Sequence, residues 1–434
     1  MRRSILALLV AALACALAPA RADDFSADLA TVRKFLALDQ SYSPPERAAV
    51  EAALAELAAA APDLSLAAFH LGVARIAALS GNGHTMMPAG LWMFSFNRIP
   101  LRLHVFADGL YVVHAPEELR ELLGARVVSI DGRTADELRV AFGRYFGARA
   151  GKRDEWVGFL LESPELMHTA GLAQANDRLE LALQLQDGSQ VLRTLHGVLD
   201  APDEEPFNFF DFSRLVLHAA ENAGAAAVPF YLQGVRRNFA VTALPELEAA
   251  YVQIRLNKDF YEQKADQFFA EARALIDRIR PKNAIVDLRL DHGGDLNTTR
   301  DFLQALPAMT AEDGRIFVLT SGRTFSAGIA SAGYLKQAAP ERVTIVGEPI
   351  GDFLEFWAEG ELLVLEQSGA ALLFASERHN YQTGCQESDC HSSIRDHPIR
   401  VRSLEPDIAA ALTYSDYRAG RDVALEAVRR ELGQ

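Results

Sequence analysis

NAIVDLRLDHGGDLNTTRDFLQALP, residues 283–307, changes character twice. Asn283 to Leu290 is a nearly unbroken apolar run, the pattern of a strand buried on both faces. Asp291-His292-Gly293-Gly294 breaks that run with a turn, and LNTTRDFLQALP then returns to helical spacing. The same alternation continues on either side. AYVQIRL (250–256) predicts a strand and YEQKADQFFAEARALIDRIR (261–280) a helix. RIFVLTS (315–321) predicts a strand, SAGIASAGYLKQAA (326–339) a helix and RVTIVGE (342–348) a strand. Strands alternating with helices of this length point to an α/β core with a largely parallel sheet, over residues 240–434.

Two strand-to-helix turns in this region carry chemistry. The paired Gly293 and Gly294 let backbone N–H groups point outward with no Cβ in the way, which suits an oxyanion or a phosphate. An ordinary tight turn has the same composition. Ser326, in GRTFSAG, follows a strand and opens a helix, so it is either a nucleophile at the positive end of a helix dipole or an N-cap. Thr324 stands where a G-x-S-x-G elbow would have glycine. Together the two turns offer a nucleophile and two oxyanion donors, the second from the amide of Ala327.

The bulk composition narrows the options. The chain has 434 residues, 50% hydrophobic and 23% charged, with a formal net charge of −15. That is globular composition with room for more than one domain. So acidic a surface repels phosphate backbones and argues against a nucleic-acid partner. The first residues, MRRSILALLVAALACALAPARADD, give a basic start, an apolar run and an A-x-A site before Asp23, the pattern of a signal peptide over 1–22. A lipoprotein reading through Cys15 has a poor lipobox in Ala12-Leu13-Ala14. Cleavage would remove Arg2, Arg3 and Arg21 and take the charge from −15 to −18. An exported chain, periplasmic or secreted and without a later membrane span, is therefore expected.

In an oxidising compartment Cys385 and Cys390 read as a short disulfide loop. A metal site using both thiols with His391 and His397 is the rival, and the spacing fits no common zinc pattern.

Ahead of the core, residues 23–97 predict helices, with Asp63 or Ser65 able to cap LSLAAFHLGVARIAALS. PLRLHVFADGLYVVHAP reads as a hairpin and ARVVSIDGRTADELRVAFGRYF as strand, turn and helix, a PDZ-like module over 98–150. A connecting region, 151–239, contains a second hairpin at 179–195 turning at Asp187-Gly188, and the polar–aromatic PDEEPFNFFDFSR.

Read in order, GNGHT, YVQIRLN, NAIVDLRLDHGGD, GRIFVLTSGRTFSAG, VTIVGEPIG and LEPDIAAALTYSDYRAGRD resemble the tail-specific (C-terminal processing) family of serine peptidases, over about residues 81–425. Each motif is short, and their order and spacing make the resemblance. It implies a ClpP/crotonase-like β-β-α superhelical core with an N-terminal helical region and a PDZ-like module. It also implies Ser326 as nucleophile and the amides of Ala327 and of Gly293 or Gly294 as oxyanion hole. Many members use a Ser–Lys dyad, but Gly347-Glu348-Pro349-Ile350-Gly351-Asp352 puts an acid where that lysine would stand. Lys336 lies ten residues along the helix from Ser326, about 15 Å away at 1.5 Å per residue. Tricorn-type relatives use a histidine from the N-terminal part, which here is His84, with His292 its rival. Asp352 and Glu355 are the candidate acids to orient it. Glu405 and Asp407 of LEPDI match a signature that holds the C-terminal strand. Asn82, Asp291 and Ile350 depart from the residues common at their positions.

The expected function is an exported serine peptidase acting on a peptide or protein, with no cofactor and no metal. The alternatives are a ligand-binding protein on the same fold and an esterase whose histidine follows the serine, as His379, His391 or His397.

Overall fold

The computed structural model describes residues 25–199 and 213–434. The signal peptide expected over 1–22, and most of the polar–aromatic connector, lie outside them. The strands are β1 (Arg102–Phe106), β2 (Gly109–His114), β3 (Arg126–Ile130), β4 (Arg133–Thr134), β5 (Arg178–Gln184), β6 (Gln190–His196), β7 (Phe239–Leu244), β8 (Ala249–Ile254), β9 (Asn283–Asp287), β10 (Ile316–Thr320) and β11 (Val343–Gly347). β12 (Glu355–Ala358), β13 (Leu362–Val364), β14 (Ala371–Leu373), β15 (Glu377–Asn380) and β16 (Ile408–Ala409) follow.

The larger domain is built on one open sheet, ordered β16-β11-β10-β9-β8-β7. β8 to β11 and β16 run parallel, and β7 pairs antiparallel at the edge. Side chains alternate across a strand, and both faces here are buried. Ala250, Val252, Ala284, Val286, Ile316 and Val318 pack under the helices Ala265–Ile279, Asn297–Ala305 and Ala327–Ala338. Tyr251, Ile285, Phe317 and Leu319 face the other way, onto Ala424, Ala427 and Val428 of the helix Val423–Glu431. Two-sided burial is why these strands read as continuous apolar runs.

The sheet order overturns the expected ClpP/crotonase-like β-β-α superhelix. Each crossover from β8 to β11 is built on a helix with no hairpin in it, so successive strands join the same sheet as parallel neighbours. A β-β-α repeat needs a hairpin between helices, and β7–β8 is the sheet's one antiparallel pair.

The second sheet is antiparallel, ordered β1-β2-β3-β5-β6 with β4 on β3. The 178–196 hairpin thus pairs with β3 in the same sheet as the strands from 102–134. N-terminal to it lie the helices Ser26–Leu38, Pro44–Ala60 and Leu66–Ala78, the last capped by the Ser65 hydroxyl, which accepts from Ala68 N at 3.2 Å. These helices share one apolar core with the antiparallel sheet and with Leu365 and Leu372.

Asp39, at the end of the first of these helices, is fully buried and joins three segments. Its carboxylate accepts from Ser41 N (2.8 Å) and Ser41 Oγ (2.5 Å), Thr85 Oγ1 (2.8 Å) and Ala375 N (2.8 Å). Asp39→Ala would leave buried donors unsatisfied, so urea unfolding is expected to show a loss of roughly 2–4 kcal/mol. A loss below about 0.5 kcal/mol would mean that water replaces the carboxylate.

Candidate active site

The loops that follow β9 and β10 leave the carboxyl ends of adjacent parallel strands, where open α/β sheets place their ligands. Three hydrogen bonds tie them together. Phe325 N donates to Asp291 O (2.9 Å), Thr324 Oγ1 to Leu288 O (2.8 Å) and Ser321 Oγ to Arg289 O (2.6 Å).

Ser326 sits where the second loop enters the helix Ala327–Ala338, with φ 54° and ψ −125°. A non-glycine residue at positive φ costs on the order of 1–3 kcal/mol and persists only where its surroundings impose it. The Ser326 hydroxyl makes no cap to the helix it precedes, which removes the N-cap reading. Gly293 and Gly294 have φ of 109° and 134°. A Cβ on Gly293 would stand 2.6 Å from Ser326 Cβ and 3.1 Å from its Oγ, so the glycine turn lies directly against the serine.

The turn's own wiring is specific. Gly293 N donates to Asp291 Oδ1 at 3.1 Å. Asp291 is fully buried, and burial pushes its carboxyl well above the ordinary range. A carboxyl that keeps its proton is a neutral group of asparagine's shape, with Oδ1 accepting from the turn. The departure at this position, acid for amide, therefore preserves the hydrogen bond.

His84 comes from the loop after the helix Leu66–Ala78 and is buried. Its ring lies between Phe325, 4.3 Å between centroids, and Phe356, 5.1 Å. The residue stacked on His84 is thus the chain neighbour of Ser326. His84 Nδ1 is 3.6 Å from Oδ2 of the fully buried Asp352. A Cβ on Gly83 would come within 2.7 Å of that same Oδ2 and 2.8 Å of Phe325, so glycine is required for the approach. Asn82 grips β12 from both sides, its Nδ2 donating to Trp357 O (2.9 Å) and its Oδ1 accepting from Trp357 N (3.1 Å). A carboxylate could accept but not donate, so this departure also has a structural reason.

The other sequence candidates fall in different places. Glu355 accepts from Arg378 (3.1 Å) and Asn380 (3.0 Å), apart from the histidine. His379 stacks on Phe356 at 4.9 Å and His391 on His379 at 5.3 Å, the next rings of the column that begins at Phe325 and His84. Lys336 donates to Val343 O at 2.7 Å, at the far end of its helix. Cys385 and Cys390 are joined by a disulfide, so neither thiol is available to a metal. Glu405 pairs with Arg149 at 2.7 Å, and Asp407 accepts from Ile345 N at 2.8 Å. Ile350 is buried in the core beneath the sheet.

Lys152 was not among the sequence candidates. It lies in the short helix Ala150–Trp156, wholly buried, with Nζ 2.9 Å from His292 Nδ1 and 4.5 Å over the Phe325 ring. Burial lowers its pKa to about 8, and burial with the Lys152 charge drives His292 well below its usual value. Near neutrality an ammonium therefore donates to Nδ1 of a neutral imidazole, which leaves the proton of His292 on Nε2. His292 has no basic nitrogen to offer in that state. GKRDEW has four charged residues in six, and nothing in it signals a buried lysine.

No family model and no curated protein matches the chain. Among solved structures, mature CPAF is 13% identical, with a TM-score of 0.55 over 93% of this chain and 95% of that one. Its complex with lactacystin gives 0.54 at 13% identity, over 93% and 96%. A CPAF mutant gives 0.59 at 12% identity, over 93% and 95%. The likeness is one of fold: a PDZ-like module and a protease-type α/β domain in one chain, the fold of tail-specific serine peptidases.

The buried Asp291 gives a pH test. Its folded state keeps a proton that the unfolded chain releases above about pH 4, so raising the pH favours unfolding. Asp291→Asn is expected to preserve the turn and to flatten the fall of Tm with rising pH. An unchanged slope would mean that Asp291 is ionised in the fold.

Proposed function

We propose that this chain is an exported serine hydrolase, a peptidase that cleaves through an acyl-enzyme on Ser326. The observation that carries the reading is the strained Ser326, pressed against Gly293 and preceded by the ring that stacks on His84.

In this mechanism Ser326 Oγ attacks the scissile carbonyl carbon and His84 takes its proton. Nδ1 of His84 faces Asp352, so Nε2 is the nitrogen that acts as base. The 3.6 Å gap to Asp352 is longer than a hydrogen bond, and such contacts commonly tighten when substrate binds. Asp352 orients the imidazole and stabilises its charged form, and Glu355 takes no part. The oxyanion is received by the amide of Ala327, first in its helix, and by the glycine turn. Gly293 N is engaged by Asp291, so Gly294 is assigned the second donor. His84 then protonates the leaving amine, and water attacks the acyl-enzyme by the reverse proton path. No step needs a metal or an organic cofactor. The substrate is a peptide or protein, and the PDZ-like sheet is the surface available to hold its tail.

Export follows from the signal-peptide pattern and from the disulfide. Among the described residues no helix is long and apolar enough to cross a membrane.

A fluorophosphonate probe tests the assignment. Wild type is expected to label on Ser326, and Ser326→Ala to abolish labelling. His84→Ala is expected to slow it by roughly 10²–10⁴-fold, whereas His397→Ala leaves it unchanged. A folded wild type that does not label at all would favour a ligand-binding protein on this fold. Labelling lost in His397→Ala but kept in His84→Ala would revive the esterase. The acid is tested separately: Asp352→Asn slows labelling at least tenfold and Glu355→Gln by less than twofold, and the opposite order would reverse the two carboxylates.

A further inference from the structure

Beside the serine loop lies a small cleft with three arginines in its wall: Arg237, Arg255 and Arg323. Arg255 and Arg323 are each 7% exposed, and the Nε–H of all three is buried without a hydrogen-bond partner. Arg255 spends its terminal nitrogens on the backbone, on Gly234 O (2.7 Å), Tyr231 O (2.8 Å) and Gln233 O (2.7 Å). Arg237 donates to Gln253 Oε1 at 3.0 Å and to Phe230 O. Among the described residues the only ion pair made by any of the three is Arg323 with Glu155, at 3.4 Å. Asp287, whose charge reaches Arg237 and Arg255, is already bound by Arg289 and Tyr251.

Three guanidiniums in one partly dry cleft repel one another. Burial, and then the charge of Arg237, lower the pKa of Arg255 to about 9. Arg237 and Arg255 are held by neutral oxygens with no carboxylate to balance them, which is a costly way to bury a cation, and it occurs in a chain whose formal charge is −15. Guanidinium forks with unspent N–H groups match a carboxylate in geometry and charge. Leu217, Leu256 and Phe260 supply apolar wall for the methylenes that would carry it. The cleft also borders both reacting loops. Arg323 is three residues before Ser326, Leu290 is three before Gly293, and Arg255 O accepts from His292 N at 3.0 Å.

We propose that the Arg237–Arg255–Arg323 cleft is a carboxylate-binding subsite beside Ser326, through which the protein selects acidic peptides. The catalytic consequence rests on the peptidase reading, whereas the binding itself does not. The carboxylate is supplied by a Glu or Asp side chain or by a chain terminus, and the two sources are separable.

The test uses Ser326→Ala protein and fluorescence anisotropy with dye-labelled alanine hexapeptides. One set carries a single Glu at each position in turn, with amidated C-termini. The second carries Gln at the same positions, also amidated. The third is the Gln set with free C-termini. At least one Glu peptide is expected to bind tenfold or more tighter than its amidated Gln partner. A gain confined to the free-acid set supports the subsite with the terminal carboxylate as its source. The preference should fall below twofold in Arg255→Gln and in Arg237→Gln, compared with a parent of matching thermal melt. Arg237 is the less buried of the two and carries the test if Arg255→Gln does not fold. Equal binding of all three sets, or a preference that survives both substitutions, overturns the proposal. Fluorophosphonate labelling of wild type keeps the two readings apart. An acidic preference with no labelling retains the subsite and sinks the peptidase, and labelling without a preference does the reverse.

Discussion

The cross-link between two strand-end loops is the constraint on which the site depends. Phe325 N on Asp291 O and Thr324 Oγ1 on Leu288 O fix the loop after β10 to the loop after β9. With both ends pinned, Ser326 is carried through at positive φ and its hydroxyl is turned away from capping. The same cross-link presses Gly293 against the serine, at a spacing that no Cβ would fit. It also presents the Phe325 ring as a floor shared by His84 and Lys152. These two hydrogen bonds therefore set the placement of Ser326, of Gly293 and of the ring on which His84 and Lys152 rest.

His84 depends on a second frame, far away in sequence. The buried Asp39 ties Thr85 to the turn at Ala375, and Asn82 grips Trp357. The N-terminal helices thus share a core with the antiparallel sheet and also set the loop that brings His84 to Phe325. Gly83 allows Asp352 to stand behind the ring. Stability of the helical region and geometry of the site are therefore linked through one buried carboxylate.

Electrostatics divides the molecule. The surface is strongly acidic, while Lys152 and the three arginines gather close to the reacting loops. Oppositely signed interior and exterior fields focus an anion into the cleft once it has come close. Burial favours the protonated carboxyl of Asp291 and the neutral ring of His292, so the glycine turn adds no negative charge beside Ser326.

The sequence alone carried the local chemistry. The apolar runs, the Gly-Gly turn, the serine at a strand-to-helix junction and the two nearby cysteines are features of contiguous residues, and periodicity and turn chemistry expose such features. Their order made Ser326, the glycine turn and a histidine far upstream candidates for one arrangement, and the fold sets Gly293 against Ser326 and His84 against Phe325. The tertiary structure decided what depends on neighbours distant along the chain. Crossovers through helices place β8 to β11 in one open sheet rather than a β-β-α superhelix, because strand pairing is a long-range choice that a run of apolar residues leaves open. Asp352 rather than Glu355 faces His84, because Glu355 is drawn off by Arg378 and Asn380 on the next strand. Lys152 and the arginine cleft were invisible, since what sets these cations apart is burial, and burial is a property of the folded chain.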